Sequence, residues 1–269
     1  MTEEQLKLRE QFKFKRLGYY QAGRHLSFSG VGINSNFILL GYAIEMHLKA
    51  AIAEAEFKGK KLSPAELKLL YKHELKNLFY LGKQLGLFEN IKVSDEFLDI
   101  AELFLHTRYP SQERETQAKI KANNPFGYGI SVYNVFPYDD LICQLDKELS
   151  IIAENENDSI IILAAKYVNA SENVPIFRSN AFAFSTLEPI WEKLLNDPMI
   201  YEDNKEVLKL GKKYIWERGQ GLCVPIDAYE KIIKEYNCNT FKLSGPEIKI
   251  NPNGTKTIIF DSDEEISLN

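Results

Sequence analysis

The chain has 269 residues, 45% hydrophobic and 26% charged, enough to bury a substantial core in one large domain or two smaller ones. Its net charge of −5 is divided unevenly: residues 1–150 hold 20 Lys and Arg against 19 Asp and Glu, and the remainder holds 13 against 19. Neither half is the basic footprint of a nucleic-acid-binding domain. Three widely spaced cysteines, Cys143, Cys223 and Cys238, give neither a zinc pair nor a disulfide framework and fit reduced thiols in a cytoplasm.

The opening Met1-Thr2-Glu3-Glu4-Gln5 is acidic and does not read as a secretory signal. Residues 3–24 predict a helix, with Leu8, Phe12 and Tyr19 at helical steps and a basic run of Lys7, Arg9, Lys13, Lys15, Arg16 and Arg24. That run reads as a solvated helix face, or alternatively as an edge that contacts phosphate. Ser27-Phe28-Ser29-Gly30 breaks the pattern, and Asn34, Ser35 or Asn36 can cap a second helix running to about residue 57. This second helix is densely apolar, interrupted at Glu45, His47 and Lys49. Glu45 and Lys49 can pair across one turn, and the apolar stretch Phe37–Ile44 is too short to cross a bilayer.

Ser63-Pro64 predicts a short helix. A third main helix is expected at about 73–85 with Gly86 as its stop, and a fourth at about 95–108, capped by Ser94 and ended by Pro110. Residues 110–137 are irregular and aromatic, a loop long enough to be functional. A fifth helix is expected at about 138–154, and the polar stretch 154–158 suggests a domain boundary. Beyond it, Ile160–Leu163 fits a strand or a helix equally. Helices are expected at about 186–196, 203–217 and 226–236, with Trp191 and Trp216 at core spacing. Glu247–Asn251 and Lys256–Phe260 flank Pro252-Asn253-Gly254 as a hairpin, and an acidic, frayed end follows.

Several chemistries are excluded. Gly211-Lys212-Lys213 is no phosphate-binding loop, and Gly30-Val31-Gly32 lacks the third glycine of a dinucleotide fingerprint. His25, His47, His73 and His106 have no zinc-ligand spacing. Asp139-Asp140 reads as part of a helix's first turn. No metal or cofactor is expected.

Gly18-Tyr19-Tyr20, Ala43-Ile44-Glu45 through Leu48-Lys49-Ala50, His73-Glu74-Leu75 and Arg108-Tyr109-Pro110 follow one another in an order and spacing that resemble the HEPN (higher eukaryotes and prokaryotes nucleotide-binding) domain family, over about residues 3–154. The resemblance implies an up-and-down helical bundle, commonly a homodimer, often encoded beside a nucleotidyltransferase or within bacterial defence and toxin–antitoxin systems. Many members are metal-independent ribonucleases that use an Arg followed four to six residues later by a His. That pair fails here, because no histidine follows Arg108 or Arg114. The chain is similar instead to the Arg-Tyr-Pro branch, which implies a binding or neutralising module.

The expected architecture is mainly α: a HEPN-like bundle over 1–154 and a C-terminal α+β extension over 155–269 ending in a β-hairpin. The candidate ligand-binding residues are Glu45, Lys49, His73, His106, Arg108 and Tyr109, with Arg114, Tyr128 and Tyr133 as loop candidates. Arg108 also suits a helix C-terminus, Glu45–Lys49 an ordinary intrahelical pair, and the tyrosines ordinary loop anchors. The function expected first is a non-catalytic module that binds a nucleotide, RNA or a partner protein. The alternatives are a divergent ribonuclease toxin, with a histidine such as His106 or His73 supplied from elsewhere, and a structural interaction subunit. A homodimer, a nucleotidyltransferase partner, no membrane and a cytoplasmic location complete the expectation.

Overall fold

A computed structural model describes residues 3–29, 35–106, 135–168, 170, 172–177, 180–212, 240–242, 247–250, 256–259 and 265–268. The chain is mainly helical and divides into two compact units, Met1–Ala164 and Ala165–Asn269.

The first unit is a helical bundle built around one central helix. Helix α1 spans Glu3–Ser29, α2 Ser35–Phe57, α3 Pro64–Leu69, α4 Leu75–Gln84, α5 Asp95–His106, α6 Phe136–Ala153 and α7 Ile160–Lys166, of which α7 extends past the unit's last residue, Ala164. Helix α2 packs against α1, α4, α5 and α6. Because neighbours surround it, it is buried on every face from Ala43 to Ala55.

The local signals act as their chemistry dictates. Ser63 accepts from the Glu66 amide while the Glu66 carboxylate accepts from the Ser63 amide, a reciprocal cap that starts α3. The Ser94 hydroxyl accepts from the Phe97 amide at the start of α5. Gly86 takes φ +76°, as a helix stop requires. Phe88 also takes a left-handed φ of 58°, which turns its fully buried ring onto Phe79 in a near-parallel stack at 5.7 Å.

Three expectations change. Helix α1 continues through 25–29 instead of breaking there, with the Ser27 hydroxyl bonded back to the Gly23 carbonyl. The basic run on α1 is only in part a solvated face: Lys7 and Lys15 are exposed, Arg9 and Lys13 are half-buried against Glu54, and Arg16 and Arg24 are almost fully buried and bonded to acids. The first unit also reaches past 154 to Ala164, because α7 is capped from inside the bundle by Asp146.

In the second unit Val174–Phe177 forms the short helix α8, and the helix expected at 186–196 is split into Ala181–Leu187 (α9) and Trp191–Leu195 (α10). Pro189 forces a turn of 3₁₀ helix between them. Asn180 caps α9 through the Ala183 amide, and Trp191 is in the core. Helix α11 covers Glu202–Gly211. The expected helix at 226–236 and Trp216 lie outside the described residues, as does the turn at 252–254. Four short strands, β1 Thr240–Lys242, β2 Glu247–Ile250, β3 Lys256–Ile259 and β4 Glu265–Leu268, pair antiparallel in sequential order, with Glu247 opposite Ile259 and Ile250 opposite Lys256. No described helix is long and apolar enough to cross a membrane.

Candidate functional site

A helix buried on all sides cannot carry ionisable side chains without partners, because an unpaired charge in the interior costs several kcal/mol, on the order of the whole fold's stability. Helix α2 carries four: Glu45, His47, Lys49 and Glu54. Each is matched, and one match reaches the surface.

Glu45 is fully buried. Its Oε1 accepts from Lys49 Nζ at 2.7 Å, one turn along the same helix. Its Oε2 lies 2.8 Å from Nδ1 of His73, the second residue before α4. An ionised carboxylate can only accept, so Nδ1 carries the proton in this contact, and the neutral ring keeps Nε2 as an acceptor. The His73 side chain is 37% exposed, against 0% for that of Glu45. Tyr42, one turn before Glu45, meets the His73 ring edge-on at 6.0 Å and stacks on Tyr19 of α1 at 5.1 Å. Phe12 lies 5.6 Å from the Lys49 ammonium. The result is a half-exposed edge of rings backed by a buried carboxylate.

Three of the sequence candidates, Glu45, Lys49 and His73, are thus brought together, and the Glu45–Lys49 pair forms as its spacing predicts. His106 ends α5, half-buried, one turn after Glu102. Burial raises the Glu102 carboxyl above its usual range, and that carboxyl accepts from the Lys76 amide at 3.4 Å. Among the described residues no contact joins His106 to Glu45, Lys49 or His73. Arg108, Tyr109, Arg114, Tyr128 and Tyr133 lie outside the described residues.

The other matches are internal. Burial works to raise the Glu54 carboxyl, but hydrogen bonds from Arg9 at 2.7 Å and Lys13 at 2.8 Å outweigh it and hold it below the ordinary carboxylate range. Lys13 also reaches Asp158 at 2.8 Å. The His47 Nδ1–H donates to the Ala43 carbonyl at 2.7 Å. Its Nε2 lies 3.5 Å from Asp146 Oδ1 without a hydrogen bond, and burial holds the ring's pKa below the usual value.

Asp146 is the hub of this internal network. It faces Arg16 at 3.3 Å and accepts from the Ser159 hydroxyl at 2.6 Å and from the Ile160 and Ile161 amides at 2.9 and 3.3 Å. Burial opposes its charge, yet His47, Arg16 and Ser159 prevail and keep its pKa low. A fourth buried acid, Asp139, accepts from Arg24 Nη1 at 2.7 Å and from the Tyr20 hydroxyl at 2.8 Å. Burial pushes its carboxyl up to about 6, against the pull of Arg24 and Tyr20.

Sequence reasoning missed the acid partners of Arg16 and Arg24, which lie 115 to 130 residues away. One signal was available: Arg16, Tyr20 and Arg24 recur every four residues, a single stripe that no surface helix needs. Among the described residues no cluster of three potential metal ligands occurs. Comparisons of the chain with protein-family models, with curated proteins and with solved structures found no match.

Proposed function

We propose that this chain is a non-catalytic HEPN-type helical module that binds a nucleotide or a nucleotide-bearing ligand at the edge formed by His73, Tyr42 and Tyr19. The observation that carries the reading is the partly exposed His73 imidazole, oriented at 2.8 Å by a wholly buried carboxylate. A buried acid that fixes a surface ring sets its tautomer and reduces the entropy lost on binding. In the same reading the chain works as a homodimer in the cytoplasm, beside a nucleotidyltransferase or in a defence system, and its C-terminal extension carries a β-hairpin.

Calorimetric titration of the full chain with nucleoside mono-, di- and triphosphates tests the reading. Binding to the wild type that His73→Ala reduces at least tenfold supports it. Absence of heat with every nucleotide overturns it.

The ribonuclease reading is favoured by one specific feature, since a carboxylate-oriented imidazole is also how a general base is held. Under that reading the purified protein cleaves RNA without metal, and both His73→Ala and Arg108→Ala abolish cleavage.

A further inference from the structure

On α1, Arg16 and Arg24 are buried and Arg9 and Lys13 are engaged by Glu54, which leaves Lys7 and Lys15 as that helix's exposed cations. Among the described residues, the connection from the end of α2 to His73 gathers exposed lysines with few acids. Residues 57–72 hold five lysines against one glutamate, and that glutamate, Glu66, is engaged in the Ser63 capping box. Lys58 pairs with Glu154 and Lys72 with Glu74, whereas Lys60, Lys61 and Lys68 are exposed and make no ion pair among the described residues.

Two aromatic rings stand out among them. Tyr71 is 61% exposed beside Lys72, and Phe57 is 51% exposed with the Arg9 guanidinium 4.1 Å over its ring. Helix-end dipoles favour cations at Lys58 and Lys68. They do not call for the ammonium groups of Lys60 and Lys61, or for an exposed tyrosine.

We infer that residues 57–72 form a surface for single-stranded nucleic acid, with Lys60, Lys61 and Lys68 on successive phosphates and Tyr71 stacked on a base. This rests on the reading of the first unit as a nucleotide-binding module and extends it from one nucleotide to a strand. Lys61 and Lys68 are seven residues apart, at most about 24 Å of chain, so the lysines lie within a few nucleotides of one another. Local structure fixes two points on the route, since Gly59 at φ +100° turns the chain and the Ser63 cap starts α3, and His73 follows Lys72 directly.

An anionic membrane is the competing partner for lysines and rings. It is disfavoured because Leu67 and Leu69 of α3 are half-buried and Leu70, just after it, is buried, which leaves no continuous apolar face to insert.

Fluorescence anisotropy of the full chain with labelled oligouridylate, measured across a salt series, tests the inference. The substituted residues are exposed, and a thermal melt by circular dichroism confirms that each variant is folded. The triple variant K60A/K61A/K68A should bind more weakly and flatten the slope of log affinity against log salt by about two, at about 0.7 per phosphate contact on a single strand. Tyr71→Ala should weaken binding about tenfold with the slope unchanged. A triple variant with wild-type affinity and slope overturns the inference, as does binding only to phosphatidylserine vesicles. Nucleotide titration at His73 separates the two readings. If mononucleotide binds and oligouridylate does not, the surface at 57–72 is wrong and the His73 site stands. If neither binds, both are wrong.

Discussion

Replacing Asp146 with alanine tests whether the bundle is held by its internal charge network. The substitution removes the acceptor of Ser159 Oγ, Ile160 N and Ile161 N and leaves the Arg16 guanidinium without its carboxylate. Breaking a buried pair from one side costs about 3–5 kcal/mol, because the remaining charge stays buried. The lost helix cap adds about 1 kcal/mol. Arg16 keeps its bonds to the Asp158 and Lys13 carbonyls, which softens the loss. We expect a net destabilisation of about 4 kcal/mol. In urea denaturation followed by circular dichroism this lowers the midpoint by about 2 M at an m value near 2 kcal/mol/M, with m unchanged. The double variant Arg16→Met/Asp146→Leu should recover much of the loss, since no charge is left unpaired. A destabilisation under about 1 kcal/mol, or a double variant no better than Asp146→Ala, would refute the reasoning.

His47 is depressed by burial, so below its ordinary value of 6.5 the unfolded chain takes up a proton that the folded chain refuses. Stability therefore falls as pH drops below 6.5, and His47→Leu should flatten that slope by up to about 1.4 kcal/mol per pH unit in urea midpoints measured between pH 6.5 and 5. Asp139 acts with the opposite sign. Raised to about 6, it keeps its proton when folded after the unfolded chain has lost it near 3.8, so its contribution falls as pH rises through that window. A carbon-detected carboxyl titration should place its midpoint near 6, and a midpoint below 4 contradicts this. Gly82→Ala puts a methyl group into the Phe88 ring, which is fully buried and stacked on Phe79. Despite alanine's better helix propensity, thermal melts should show a loss of about 1–3 kcal/mol.

Much of the bundle was legible because its signals are local. Ser63-Pro64, Ser94 and Gly86 each act within one turn of the helix they start or stop, and Glu45–Lys49 is one turn apart on α2. The partners of α1 were not legible. Arg16 and Arg24 meet acids on α6, and a charge pair formed across 115 to 130 residues leaves no periodic trace in either segment. The Glu45–His73 contact was half legible. Both residues were singled out, but their pairing depends on the angle at which the chain enters α4, which no local pattern encodes. Ile160–Leu163 was ambiguous for the same kind of reason, since its helical state is set by amide bonds to Asp146 on another helix. Pro189 was a local signal for the break between α9 and α10.

Long-range ¹H–¹⁵N spectra of the histidine-labelled chain, recorded with and without nucleoside triphosphate, put the Glu45-anchored edge to its most direct trial. His47 and His73 should both appear as Nδ1–H tautomers, of the four imidazoles only that of His73 should shift on titration, and Glu45→Leu, which leaves no acceptor, should abolish both features at His73. A His73 ring protonated at Nε2, or one that stays still while another histidine moves, would contradict the account.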